Sequence, residues 1–175
     1  MSNKKSLTKR ITFDALLTTA ALIIFVVEAQ IPPVAPIPGV KLGLANIITV
    51  YAMFRAGAKD TFAIMICRVL LGGIYSGQIT AFIFSLTGAL FCYFAMLLFR
   101  RILNEKQIWV CSVIGAIFHN IGQIAAATVI LHTIAAAVYL PILIISAIVT
   151  GSITGFCAQT VIKRLDRKNT TENEK

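Results

Sequence analysis

The sequence predicts an all-α membrane protein, a bundle of six transmembrane helices with both termini in the cytoplasm. Three observations lead there: the composition, six apolar runs, and a one-sided placement of basic residues. Of 175 residues, 58% are hydrophobic and 13% charged, against about 45–50% and about 25% in a soluble domain. The shift in both directions marks an integral membrane chain. The formal net charge is +9. The basic residues gather in short gaps between apolar runs, which is a topology signal of membrane proteins. They are not interleaved with aromatic residues, so nucleic acid is not an expected partner.

The elements follow in order. Residues 1–12 form a basic cytoplasmic N-terminus, 13–162 the transmembrane domain, and 163–175 a polar cytoplasmic tail. The first apolar run, Phe13–Ile31, follows "MSNKKSLTKR". It is longer than the roughly 7–15 residues of a signal-peptide core and has no convincing small-x-small cleavage site, so it reads as a retained span. Five more spans follow at Leu42–Ala56, Thr61–Tyr75, Ile79–Phe99, Ile108–Leu131 and Ile134–Ile162. The second and third rise only about 22 Å, short of the ~30 Å hydrocarbon core. Short spans of this kind need cover from neighbouring helices. The last is long enough to tilt or to extend past the membrane.

Orientation follows from Lys and Arg. One side carries Lys4, Lys5, Lys9 and Arg10, then Arg55 and Lys59, then Arg100, Arg101 and Lys106, and finally Lys163, Arg164, Arg167, Lys168 and Lys175. The opposite loops carry only Lys41, and Arg68 lies within a span. An excess of basic residues marks the cytoplasmic side, which places both termini there and requires an even number of spans. The localisation expected is a multi-pass protein of the cytoplasmic membrane, with the lipid bilayer as its first partner.

Four of the five prolines fall in "PPVAPIPGVKLGLANIIT", residues 32–49. Proline fixes φ and pushes the preceding residue to an extended conformation. The stretch therefore reads as a stiff strap over the outer mouth, after which "VKLGLANIIT" restarts a helix. The free N–H groups of that helix start, with Lys41 beside them, suit an anionic group. The other reading is a plain connector with proline punctuation.

Polar residues inside spans are costly and point to function. Arg68, in "AIMICRVLLGG", sits mid-span, too deep to snorkel. Glu28, near the outer end of the first span, is the natural partner for Arg68 or Lys41. Asn46 lies one turn into the second span. His119, Asn120 and Gln123, in "GAIFHNIGQIAAATVI", fall within about 100° of one helix face. Gly115, Ala116, Ala126 and Ala127 bound them on nearly the same face. The favoured reading is a substrate-binding pocket open to the outside and lined by Glu28, Lys41, Asn46, Arg68, His119, Asn120 and Gln123. The other is a buried Arg68–Glu28 pair plus a polar helix–helix seam. His132 reads as a solvated loop residue. The "GSITG" at 151–155 is a G-x-x-x-G packing pattern for a neighbouring helix.

The four cysteines, Cys67, Cys92, Cys111 and Cys157, are scattered in apolar runs and read as packing residues. No metal site, cofactor or catalytic residue is expected. The phosphate-loop pattern G-x-x-x-x-G-K-[ST] is absent. The seven acids do not cluster on the outer side, so nothing in the pattern would hold Mg²⁺ on a diphosphate.

"PGVKLGLANIIT", "SGQITAFIFSLTGAL" and "GAIFHNIGQ" resemble the small bacterial membrane proteins called Gx transporters. These are also described as heptaprenyl diphosphate synthase component I. The resemblance runs from about Glu28 to Gly155. The family is in turn similar to the S components of energy-coupling-factor transporters. That implies a six-helix capture subunit working with separate transmembrane and ATPase subunits. The first span departs from the S-component pattern, with Ala15-x-x-x-Thr19 in place of an Ala-x-x-x-Ala docking motif. The alternative implied is a non-catalytic membrane subunit of prenyl diphosphate or quinone metabolism, or of extracellular electron transfer, with a lipid-like ligand.

Overall fold

A computed structural model describes residues 2–31, 43–103 and 107–173. Among them are six α-helices: α1 (Ser2–Glu28), α2 (Asn46–Arg55), α3 (Ala58–Ser76), α4 (Ile79–Phe99), α5 (Ile108–Ile130) and α6 (Leu140–Asn173). The predicted helical class holds. Four helical stretches among the described residues are long and apolar enough to cross a membrane, namely Leu7–Glu28, Ile79–Phe99, Ile108–Ile130 and Ile134–Arg167. The two helices expected to be short behave differently from one another. α3 runs for 19 residues, about 28 Å, whereas α2 has only 10, about 15 Å.

Two boundaries differ from the sequence expectation, each for a local reason. The second helix was expected from Leu42. Gly43 instead takes φ +79°, and residues 43–45 form a turn with Asn46 N–H donating to the Gly43 carbonyl at 2.9 Å. Asn46 is therefore the first residue of α2, not one turn inside it. The sixth helix was expected from Ile134, but Ile134–Tyr139 is a 3-10 helix and α6 begins at Leu140. Pro141 explains this. It has no N–H to give, and its ring would strike the carbonyl four residues back, so an α-helix can start there but cannot run through it. Both terminal helices continue through the basic segments that flank the expected spans.

The turn at "YSGQ" is as tight as expected. Gly77 ends α3 in the left-handed region, at φ +63°, and α4 starts two residues later.

α5 makes its most extensive contacts with α4 and α6. Glycines set those two seams. A Cβ at Gly122 would lie 2.8 Å from the Thr87 carbonyl oxygen, and one at Gly155 would lie 2.6 Å from Trp109 Cα. The G-x-x-x-G pair Gly151 and Gly155 thus packs directly on the α5 backbone. On the other side, α1 packs on α3, with Phe25 against Gly72.

Charged side chains collect at one end of the bundle. Arg10 of α1 pairs with Asp60 of α3, Arg55 of α2 pairs with Asp166 of α6, and the Arg100 guanidinium lies 5.8 Å from the Phe54 ring centre. Asp60 precedes the apolar run of α3, and Arg10 holds its carboxyl below the usual carboxylate range. The stabilisation from such a depressed carboxylate is complete at neutral pH and fades as pH falls through its folded value. Asp60→Asn is therefore expected to lower the melting temperature at pH 7 but to match the wild type in strong acid. A thermal-shift series against pH checks this.

Candidate functional site

Two apolar clusters fill the bundle. One, toward the charged end, includes Val50, Met53, Met65, Cys92, Met96 and Cys111. The other, toward the opposite end, includes Phe84, Ile124, Ala127 and Leu143. Along α4 and α5, Gly88 and the polar His119, Asn120 and Gln123 fall between these clusters, so a polar layer lies between two apolar ones.

Six of the seven sequence-predicted site residues are described, and all six are buried. Glu28, Asn46 and Arg68 are 4% exposed, His119 3%, and Asn120 and Gln123 1%. Lys41 and the proline strap lie outside the described residues. Glu28, at the end of α1, accepts the Gly43 N–H at 2.5 Å. That bond ties the end of α1 to the turn before α2. Gly43 in turn sits against two candidate side chains. A Cβ there would lie 2.9 Å from Asn46 Nδ2 and 3.3 Å from His119 Cδ2.

Across the layer, Gly88 of α4 makes room for α5. A Cβ at Gly88 would lie 2.9 Å from both His119 Cε1 and Gln123 Cγ. The His119 ring thus packs directly against the Gly88 backbone. The imidazole is wedged between the Gly43 turn and the Gly88 backbone of α4. Arg68, near the middle of α3, lies within electrostatic reach of Glu28, Cys92 and His119.

Asn120 takes a different direction. Its Nδ2 donates to the Leu143 carbonyl at 2.7 Å, which joins α5 to α6. The seam reading therefore describes Asn120, while His119 and Gln123 turn toward α4 and the α2 turn. Gly43 and Gly88, neither of them among the expected site residues, form the walls against which the site residues pack. The signal for each was present as a lone glycine, in "KLGLAN" and "SLTGAL", beside apolar neighbours.

The layer is short of hydrogen-bond partners. Asn46 Nδ2, Arg68 Nη2, His119 Nδ1, Asn120 Oδ1 and Gln123 Oε1 are buried with no partner among the described residues. Buried polar groups are satisfied in about 90% of cases or more, and each orphan costs about 1–3 kcal/mol. Five in one layer, from α2, α3 and α5, form a concentrated set of unused donors and acceptors. Outside this layer, Asp14 Oδ1 is a further such atom among the described residues.

Of the cysteines, Cys92 and Cys111 are buried and Cys67 and Cys157 are exposed on the bundle surface. Their packing role is thus confined to the first two. Apolar grooves on the outside of the bundle, such as the one between Leu70, Gly73 and Phe82, are lined by none of the polar-layer residues.

The family model described as heptaprenyl diphosphate synthase component I matches residues 17–161. No curated protein and no solved structure matches the chain.

Proposed function

This chain belongs to the heptaprenyl diphosphate synthase component I family, and on that premise we propose that it is a non-catalytic membrane subunit that captures a small anionic ligand in its polar layer. The observation that carries the proposal is the set of five buried polar atoms that have no partner among the described residues. A bundle that needed only structural glue would pair these groups with one another, as Asn120 pairs with the Leu143 carbonyl. Arg68 supplies the positive charge and Asn46 a neutral donor. Glu28 fixes the Gly43 turn against them. Lys41, by sequence two residues before Gly43, belongs to the same binding set.

The ligand enters from the outside of the cytoplasmic membrane. The charged end that holds Arg10–Asp60 and Arg55–Asp166 is the cytoplasmic end, in keeping with the basic loops. Separate transmembrane and ATPase subunits supply the energy for release, as in the S components that the sequence resembles. Topology is tested by single cysteines in a background lacking the four native ones. Val34→Cys and Lys41→Cys are expected to react with an impermeant reagent on intact cells. Arg101→Cys and Lys168→Cys are expected to react only after lysis. External labelling at 101 or 168 would overturn the orientation.

The family description favours a second reading, a membrane subunit of a prenyl diphosphate synthase complex. Co-purification from detergent extracts separates the two. Capture of a transport ATPase with a transmembrane partner supports the first. Capture of a soluble prenyl synthase, without an ATPase, supports the second and counts against the first.

A further inference from the structure

The unused atoms of the polar layer differ in sign, and the pattern narrows what the site can hold. Arg68 Nη2 and Asn46 Nδ2 are donors, while Gln123 Oε1 is an acceptor. Asn120 Oδ1 is a second amide acceptor, and His119 Nδ1 is buried with no partner among the described residues. With the ring proton on Nε2, Nδ1 is a lone-pair acceptor. Two donors, one of them cationic, then stand with three acceptors in one buried layer.

We propose that the site takes a small polar anion that also presents at least two N–H or O–H donors, such as an amino- or hydroxyl-bearing carboxylate or phosphate monoester. Its anionic group meets Arg68 and Asn46, and its donors meet His119 Nδ1 and Gln123 Oε1. This rests on the capture reading and deepens it. Acceptor-only molecules do not fit. A prenyl diphosphate offers anionic oxygens and a hydrocarbon tail, and a quinone offers two carbonyls. Either would leave the acceptors of the layer buried and unpaired, and a site built to receive an O–H or N–H strongly rejects an analogue lacking it.

The test uses the full chain in nanodiscs, followed by thermal shift and native mass spectrometry. Farnesyl diphosphate and a short-chain quinone serve as acceptor-only probes. A set of amino- and hydroxy-carboxylates and nucleoside monophosphates serves as donor-bearing probes. Stabilisation is expected with members of the second set and not with the first. Gln123→Met removes one acceptor without adding charge. It is expected to leave the probe-free melting temperature equal or higher and to weaken the best donor-bearing probe about tenfold or more. Native mass spectrometry of the wild type needs no variant and reports probe retention directly. Arg68-dependent retention of farnesyl diphosphate or the quinone would overturn the donor assignment while keeping the capture site. So would unchanged probe affinity in Gln123→Met. Retention of no probe of either set would overturn the donor assignment, and if Arg68→Met were also less stable than wild type it would count against the capture site as well.

Discussion

Arg68→Met is expected to abolish ligand-dependent stabilisation while leaving the empty protein as stable as the wild type, or more so. A mid-span arginine costs about 2.5–3.5 kcal/mol on insertion scales. Arg68 is 4% exposed, and its Nη2 has no partner among the described residues. Removing the side chain removes that cost. It also removes a charged hydrogen bond to a bound anion, of about 1.5–3 kcal/mol. A structural Arg68–Glu28 lock predicts the reverse. Arg68→Met would then strand a buried carboxylate and melt lower, and adding Glu28→Gln would restore stability. The Gly43 N–H bond to Glu28 gives that carboxylate a role apart from Arg68. Melting temperatures of the wild type, both single variants and the double variant decide between these models. A lower melting temperature for Arg68→Met, rescued by Glu28→Gln, would make Arg68 a structural lock.

The second large effect is in packing. Gly155→Val is expected to destabilise the bundle by about 1–3 kcal/mol or more, because its new atoms meet backbone and not a flexible side chain. Even a Cβ would lie 2.6 Å from Trp109 Cα and 2.7 Å from Ser112 Cβ. The α5–α6 seam would have to open, and with it the Ser112–Thr154 hydroxyl bond of 3.0 Å. Phe94→Ala is the control. Phe94 is 59% exposed on the outside of the bundle, where the bilayer would cover it, so its loss is expected to cost far less. Thermal unfolding of both variants in the same detergent makes the comparison. Equal melting temperatures would show that the close seam is not limiting.

The sequence made the helices legible where apolar periodicity was uninterrupted. α4 was bounded at both ends as observed, and α5 to within a residue. The misplaced starts were those governed by backbone conformation. A positive φ at Gly43 does not register in hydropathy, and Ile134–Tyr139 is as apolar as the helix it precedes. Pro141 was the available signal for the second case. At the site, residue type and depth identified the groups that are costly to bury, since a buried Arg, His or Gln stands out in an apolar run. What they face was not legible. His119 and Asn120 are neighbours in sequence, yet one packs against Gly88 of α4 and the other bonds to Leu143 of α6. That divergence comes from how α5 is wedged between two helices, and only the assembled bundle reveals it.

The central claim is that the polar layer of α2, α3 and α5 holds a small anion. The most direct measurement is native mass spectrometry of the full chain, extracted gently from membranes and compared with Arg68→Met prepared the same way. The prediction is a noncovalent small-molecule adduct on the wild type, released on activation as an anion and absent from Arg68→Met. Wild-type protein that flies only at its bare mass, or an adduct retained equally by Arg68→Met, would contradict it.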